Sequence, residues 1–173
     1  MQSLIPVAHP SETLAEVRAH DQVMRYRRAG AGRPIVVLRG ADEPDALWPE
    51  LDAELISRFR VVTPALPADC EDVAAWVGDF LEGLGLDRVA VLAAEPCCLS
   101  ALELALLNAG QVERLVLVPA GAVGETALDG TLATTLAGSS VPLIVVRRGL
   151  PAAVALPLLR QFLEHEGLPA AVG

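Results

Sequence analysis

The segment of residues 87–107, DRVAVLAAEPCCLSALELALL, constrains the fold of this chain more than any other part. It begins with a short apolar run of the length expected for a strand buried on both faces of a sheet. A break at Glu95 and Pro96 follows, and the remaining residues favour a helix that ends before Gly110. The segment therefore predicts a strand, a sharp turn and a helix, the repeating unit of parallel sheets.

The same alternation extends over most of the chain. Residues 13–20 and 22–28 alternate apolar and polar side chains, which predicts an antiparallel hairpin. Further strands are predicted at residues 34–38, 59–63, 88–93, 112–118 and 141–147, and helices at residues 44–58, 72–84, 96–108 and 152–166. The stretch 121–140 is rich in small residues and is ambiguous, with a short helix at 125–136 as one option. This order predicts an α/β fold with three layers, α/β/α, around a mostly parallel sheet of about six to seven strands.

Length and composition predict one domain with one hydrophobic core. A chain of 173 residues buries roughly 70% of the surface that its unfolded form exposes. Hydrophobic residues make up 53% of the chain but aromatic residues only 3%, so Leu, Val and Ala must form most of the core. We therefore expect residues 1–173 to form a single domain, of which residues 1–12 are an N-terminal tail.

Charge and hydropathy argue against two classes of partner. The net charge of -9 and the isoelectric point near 4.7 oppose binding to the phosphate backbone of nucleic acids. No apolar run reaches the roughly 18 residues needed to cross a bilayer, and the first ten residues do not resemble a secretory signal peptide. We expect a cytoplasmic protein that binds neither nucleic acid nor membrane.

The sequence contains no recognisable metal or cofactor motif. Its cysteines are Cys70, Cys97 and Cys98, and its histidines are His9, His20 and His165. The cysteines lack metal-ligand spacing and are expected to be reduced thiols, while the histidines are expected to be structural or solvated. The glycines of residues 30–32 precede a strand instead of following one, so they do not form a dinucleotide fingerprint. We expect no metal site and no cofactor.

The strand, turn and helix of residues 87–107 resemble the central segment of α/β-hydrolases, where an apolar strand ends in G-x-S-x-G and presents the nucleophilic Ser on a strained elbow. Aligning the patterns places Ala93-Ala94-Glu95-Pro96-Cys97 on the motif, with Glu95 at the serine. The resemblance covers about residues 13–117 and includes YRRAGAGRPIVVLRG, RVVTPALPADC and VERLVLVPA. It implies an α/β-hydrolase-like fold, truncated and without the lid that this family usually inserts after residue 120.

The resemblance also implies a catalytic triad, whose members this sequence does not supply. The family mechanism needs a nucleophile, an acid after a later strand and a His beyond it. The strand at 141–147 leads into the sequence RRGLPAA. If it corresponds to the family strand that precedes the catalytic acid, no acid follows it. If it corresponds to the strand that precedes the catalytic His, Leu150 occupies the position of that His. Because a residue before proline favours extended backbone, we expect Glu95 at negative φ and Pro96 at the first position of the helix. The motif is thus a degenerate nucleophile elbow.

Charged residues are expected to gather at the carboxyl edge of the sheet, where ligands of open α/β sheets bind. Arg39 replaces the His of the family's His-Gly pair and precedes Gly40, while Arg147 and Arg148 end a later strand. Two interpretations stay open. Either Glu95 pairs with one of these arginines and fills the former pocket, or the arginines bind a small anionic ligand. The carboxylates of residues 42–54 are expected to form a solvated acidic face.

We predict a non-catalytic binding or structural module with a hydrolase-like fold, in other words a pseudoenzyme, and assign no catalytic residue. A homodimer is expected because the loss of terminal strands exposes a sheet edge. The alternative is an esterase-like hydrolase that uses unconventional residues such as Glu95 with Arg39, or Cys97 or Cys98. The candidate pocket residues are Arg39, Gly40, Glu95, Pro96, Arg147 and Arg148.

Overall fold

A computed structural model of the protein describes residues 12–40, 47–119, 140–147 and 150–164. The strands in these ranges are β1 (Thr13–Ala19), β2 (Gln22–Ala29), β3 (Pro34–Leu38), β4 (Arg60–Pro64), β5 (Val89–Ala94), β6 (Val112–Val118) and β7 (Leu143–Val145). The helices are α1 (Leu47–Arg58), α2 (Val73–Gly83), α3 (Cys98–Leu107) and α4 (Ala152–Glu164). None of these four helices is long and apolar enough to cross a lipid bilayer. Residues 1–11 of the predicted tail and the optional helix at 125–136 lie outside the described residues.

The strands form one sheet in the order β1-β2-β4-β3-β5-β6-β7. The pairs β1–β2 and β2–β4 are antiparallel, and every other neighbouring pair is parallel. Helices α2 and α3 cover one face of the sheet, and α1 and α4 cover the other. The predicted three-layer fold with an N-terminal antiparallel hairpin is therefore confirmed.

Strand β3 lies in the middle of the sheet and is buried on both faces. Val36 and Leu38 pack into the core that contains α2 and α3, while Ile35 and Val37 pack into the core with α1 and α4. All four side chains are at most 1% exposed. Since successive side chains of a strand face opposite sides, a strand with a helical layer on each side needs an apolar residue at every position. This requirement explains the uninterrupted run PIVVL.

Helix α2 packs against the N-terminal hairpin formed by β1 and β2. Phe80 of α2 meets the ring of Tyr26 edge-on, with 5.5 Å between the ring centroids, and stacks on Trp76 at 5.7 Å. At the end of the helix, a Cβ atom added to Gly83 would come within 2.9 Å of the Cβ of Ala19. A larger residue at position 83 would therefore push the hairpin away from the helix.

Arg114 on β6 is the buried charged residue of the described chain, with 4% of its surface exposed. Its guanidinium donates a hydrogen bond to the backbone carbonyl of Phe162 and lies 5.8 Å from the centroid of that ring. The Phe162 carbonyl belongs to the last turn of α4, where carbonyl groups have no partner within the helix. A cation at this end of the helix also interacts favourably with the helix dipole. Arg114 thus ties α4 to the sheet.

We predict that Arg114→Met lowers the free energy of unfolding by about 1.5–3 kcal/mol, because it leaves the Phe162 carbonyl buried without a donor. Urea denaturation followed by circular dichroism measures the change. Arg88→Met provides the control, since Arg88 is exposed just before β5; its effect should be about 0.5 kcal/mol or less. Equal losses in the two variants would contradict the assigned role.

Candidate functional site

The carboxyl ends of β3 and β5 meet at one edge of the sheet. Leu38 at the end of β3 pairs with Ala93 near the end of β5, so the residues after each strand lie close together. A Cβ atom added to Gly40 would come within 3.1 Å of the Cδ of Pro96 and 3.7 Å of the carbonyl oxygen of Glu95. Two of the predicted site segments, Arg39-Gly40 and Glu95-Pro96, are therefore brought into contact.

The turn after β5 differs in one respect from the sequence prediction. Among the described non-glycine residues only His20 has a positive φ, so the prediction that Glu95 avoids the left-handed region is confirmed. The prediction that Pro96 is the first residue of the helix is wrong, because α3 begins at Cys98 and its N-cap residue is Cys97. The N–H of Cys97 donates to the carbonyl of Ala94 at 2.7 Å, which closes a tight turn around Glu95 and Pro96. Pro96 and Cys97, which the sequence predicts to be helical, therefore precede the helix.

The cysteines after this turn are enclosed by the protein. Cys97 is 4% exposed and Cys98 is fully buried, as expected for small apolar side chains between a helix and a sheet. The Cys98 Sγ lies 3.4 Å from the carbonyl oxygen of Ala93. A reagent could not reach either thiol without local opening of the α3–β5 contact.

Arg39 does not pair with Glu95 in the structure. Its Nη1 lies 2.9 Å from the Oδ2 of Asp52, and its Cζ lies 5.3 Å from the centroid of the Trp48 ring. Trp48 and Asp52 are four residues apart on α1 and therefore share one face of that helix. The expected pair with Glu95 is replaced by this contact, in which an aromatic ring and a carboxylate of α1 hold the guanidinium. The side chains of Arg39 and Asp52 are only 28% and 23% exposed.

No ion pair of Glu95 is formed within the described ranges, and its side chain is partly exposed. The two remaining arginine candidates follow β7. Arg147 is exposed, and Arg148 lies outside the described residues. β7 is shorter than predicted and ends at Val145, so Arg147 belongs to the connection that leads to α4. Of the candidate residues, the structure therefore brings together Arg39, Gly40, Glu95 and Pro96.

Trp48 and Asp52 are the site residues that the sequence analysis missed. Asp52 belongs to the carboxylates of residues 42–54, for which the sequence predicts a solvated face, and Trp48 lies in the helix predicted at residues 44–58. Their separation of four residues was the available signal, because it places a ring and a carboxylate side by side on a helix. The position of that pair relative to Arg39 depends on packing that no local pattern reveals.

His20 lies apart from this edge. It occupies the turn between β1 and β2, and its Nε2 is 3.4 Å from the Oδ1 of Asp79 on α2. Its side chain is 67% exposed, in agreement with the expectation of a solvated residue. His9 and His165 lie outside the described residues.

Comparison with other sequences gives distant relatives of unknown role. No protein-family model matches the chain. Uncharacterised proteins of Mycobacterium bovis and Mycobacterium tuberculosis are each 28% identical to it over 134 residues, which are 70% of this chain and 39% of theirs. The chain therefore spans well under half the length of these relatives.

Comparison with solved structures identifies the fold. The structural match with the epoxide hydrolase CorEH covers 73% of this chain and 54% of the CorEH chain, with a TM-score of 0.52 and 21% sequence identity. Cfl2 of Burkholderia cenocepacia matches 73% of this chain and 57% of its own, with a TM-score of 0.53 and 20% identity. The fold is α/β-hydrolase-like. An epoxide hydrolase of Vigna radiata agrees, with a TM-score of 0.52 and 17% identity over 62% of this chain and 40% of its own.

We predict a coupling energy of about 1 kcal/mol between Arg39 and Asp52, because both side chains are mostly removed from water. A double-mutant cycle with Arg39→Met and Asp52→Asn, followed by urea denaturation, measures it. The matched control is the cross-strand pair of Arg25 and Glu16, whose atoms are 3.0 Å apart but whose side chains are 77% and 56% exposed. That pair should couple by about 0.5 kcal/mol or less. A coupling no larger at Arg39 than at Arg25 would contradict the prediction.

Proposed function

We propose that this chain is a non-catalytic module with an α/β-hydrolase-like fold, in which the edge equivalent to an active site serves a structural role. The observation that carries the proposal is the residue at the turn after β5. Glu95 stands where the resemblance to α/β-hydrolases places a nucleophile, and its backbone avoids the left-handed conformation of a nucleophile elbow. We regard this turn as a degenerate elbow.

The surroundings of Glu95 support this assignment. A nucleophile or general base in acyl transfer depends on a neighbouring group that takes or gives a proton. The described histidine, His20, is on the hairpin turn next to α2. The chain has thirteen basic residues, all of them arginine, and an arginine side chain keeps its proton in proteins. Among the described residues, no histidine is placed at the turn that carries Glu95.

The contacts of Arg39 favour a structural role over the recognition of an anion. A guanidinium attracts a free anion through its positive charge as well as through its N–H donors. Arg39 is paired with Asp52, which neutralises its charge, and its planar group lies over Trp48. These contacts connect the loop after β3 to α1, while Gly40 in the same loop lies against Pro96. The loop after β3 therefore joins α1 to the turn after β5.

We predict no catalytic turnover of p-nitrophenyl acetate or p-nitrophenyl butyrate. The protein and its Glu95→Gln variant should release p-nitrophenol at the same rate, because the described histidine, His20, lies on the hairpin and not beside this carboxylate. His20→Asn serves as the control for slow acyl transfer by an exposed imidazole. Repeated turnovers per chain that disappear in Glu95→Gln or Cys97→Ser would refute the proposal and favour the esterase-like alternative.

The structural role of Arg39 can be tested separately through Trp48. The chain has two tryptophans, so Trp76→Phe leaves Trp48 as its single fluorescent indole. Because Arg39 is held by Asp52, we expect no saturable change in Trp48 emission with phosphate or acetate up to about 10 mM. An anion that drew the Arg39 guanidinium away from the Trp48 ring would alter the emission of Trp48. A variant that combines Trp76→Phe with Arg39→Met would not show this response. Such a response would mean that the arginine binds anions and is not purely structural.

A further inference from the structure

Three side chains with metal-binding atoms converge on the surface beside the hairpin. His20 comes from the turn between β1 and β2, and Asp79 and Glu82 come from α2. One ligand atom of each lies within 4.8 Å of the other two. The two carboxylates are three residues apart and share a face of the helix. The cluster thus combines one imidazole with two carboxylates from segments that are distant in sequence.

The backbone around the cluster holds the two elements together. Ala19 precedes His20, and Gly83 follows Glu82. The Gly83 backbone is so close that an added Cβ would lie 2.9 Å from the Cβ of Ala19 and 3.2 Å from the Cγ2 of Val17. The immediate neighbours of two of the three candidate ligands are therefore in direct contact. The hairpin turn cannot move away from α2 without breaking this packing, so the ligand groups are brought together before any ion binds.

The distances within the cluster suit a small tetrahedral ion. Bonds of 2.0–2.2 Å from Zn²⁺ to nitrogen and oxygen place neighbouring ligand atoms of a tetrahedron about 3.4 Å apart. The His20 Nε2 and the Asp79 Oδ1 are already 3.4 Å apart. Glu82 is exposed, and its ligand atom lies within 4.8 Å of those of His20 and Asp79.

We propose that His20, Asp79 and Glu82 form a binding site for a divalent transition-metal ion, with Zn²⁺ as the representative ion. An imidazole nitrogen selects such ions over Mg²⁺ and Ca²⁺, which prefer ligand sets made of oxygen alone. The net charge of -9 raises the local concentration of cations near the protein. A bound ion would connect the turn of the hairpin to α2.

The neighbouring surface is compatible with an ion that keeps an open coordination position. Three protein ligands leave a fourth position for water or another donor. A groove of about 440 Å³ is lined by residues 22–25 of β2, by Trp76 of α2, three residues before Asp79, and by Ala65 and Pro67 after β4. The groove is separate from the turn after β5, so the metal site does not depend on the role proposed for Glu95.

The simpler interpretation is an ion pair between His20 and Asp79 alone. That pair needs neither Glu82 nor a metal ion, so the two interpretations differ in what Glu82 does. A metal site predicts that removal of the Glu82 carboxylate weakens zinc binding. An ion pair predicts no zinc binding that depends on Glu82.

Isothermal titration of the chelator-treated chain with Zn²⁺ tests the proposal. All the proteins in this titration contain the substitution Cys70→Ser, because the Cys70 thiol is partly exposed and would compete for zinc. We expect one saturable site, weakened about tenfold or more in Glu82→Gln and in His20→Asn. Asn suits the left-handed backbone at position 20, where φ is 50°. Titration with Mg²⁺ should give no saturable binding.

Glu103→Gln is the matched control, since it removes the same charge from an exposed position on α3. It should bind zinc as the unsubstituted protein does. Nuclear magnetic resonance of the histidine rings gives a second measurement on the unsubstituted site: zinc should shift the ring signals of His20 and leave those of His9 and His165 in place. Equal affinity in Glu82→Gln and Glu103→Gln, an unmoved His20 signal, or no saturation by about 1 mM Zn²⁺ would overturn the proposal.

Discussion

Burial of β3 on both faces is the constraint on which the rest of the structure depends. A strand in this position leaves no place for a polar side chain, and it requires a helical layer on each side. The residues of β3 alternate between the two cores, so each face of the sheet contributes to the hydrophobic stabilisation. Because polar groups are excluded from the strand itself, charged residues are displaced to its end, where Arg39 and Gly40 meet the turn after β5.

The edge of the sheet near Glu95 is organised by contacts between backbone segments and by one ion pair. Gly40 approaches Pro96, and Arg39 turns towards α1, where it finds Asp52 and Trp48. An active site of this fold would keep its charged groups poised toward a substrate. Here the guanidinium interacts with the protein itself. The same architecture can therefore support either chemistry or structure, depending on whether its loops direct polar groups outward or toward the neighbouring helix.

The buried elements could be predicted from the sequence, while the long-range polar contacts could not. The apolar runs of β3, β5 and β6 identify strands covered on both faces, and the order of elements then predicts the layers. The partner of Arg39 was missed because Asp52 is one of many carboxylates between residues 42 and 54, and composition does not distinguish them. Pro96 was placed in the helix because local preference allows it there, whereas the turn that closes at Cys97 decides otherwise. His20 and Asp79 are far apart in sequence, and the packing of α2 against the hairpin, through Phe80 on Tyr26 and Gly83 on Ala19, brings them together.

The order of strands also has a consequence for how this protein is made. β3 forms its hydrogen bonds with β4 on one side and β5 on the other, and β5 is separated from it in the chain by two helices and a strand. During synthesis, the middle of the sheet stays incomplete until β5 has left the ribosome. Until then, an apolar strand presents an unpaired edge. The β1–β2 hairpin involves only local contacts and can form earlier, but its pairing with β4 does not cover that edge. The emerging chain thus carries an exposed apolar strand edge, a site for aggregation, between the appearance of β3 and that of β5.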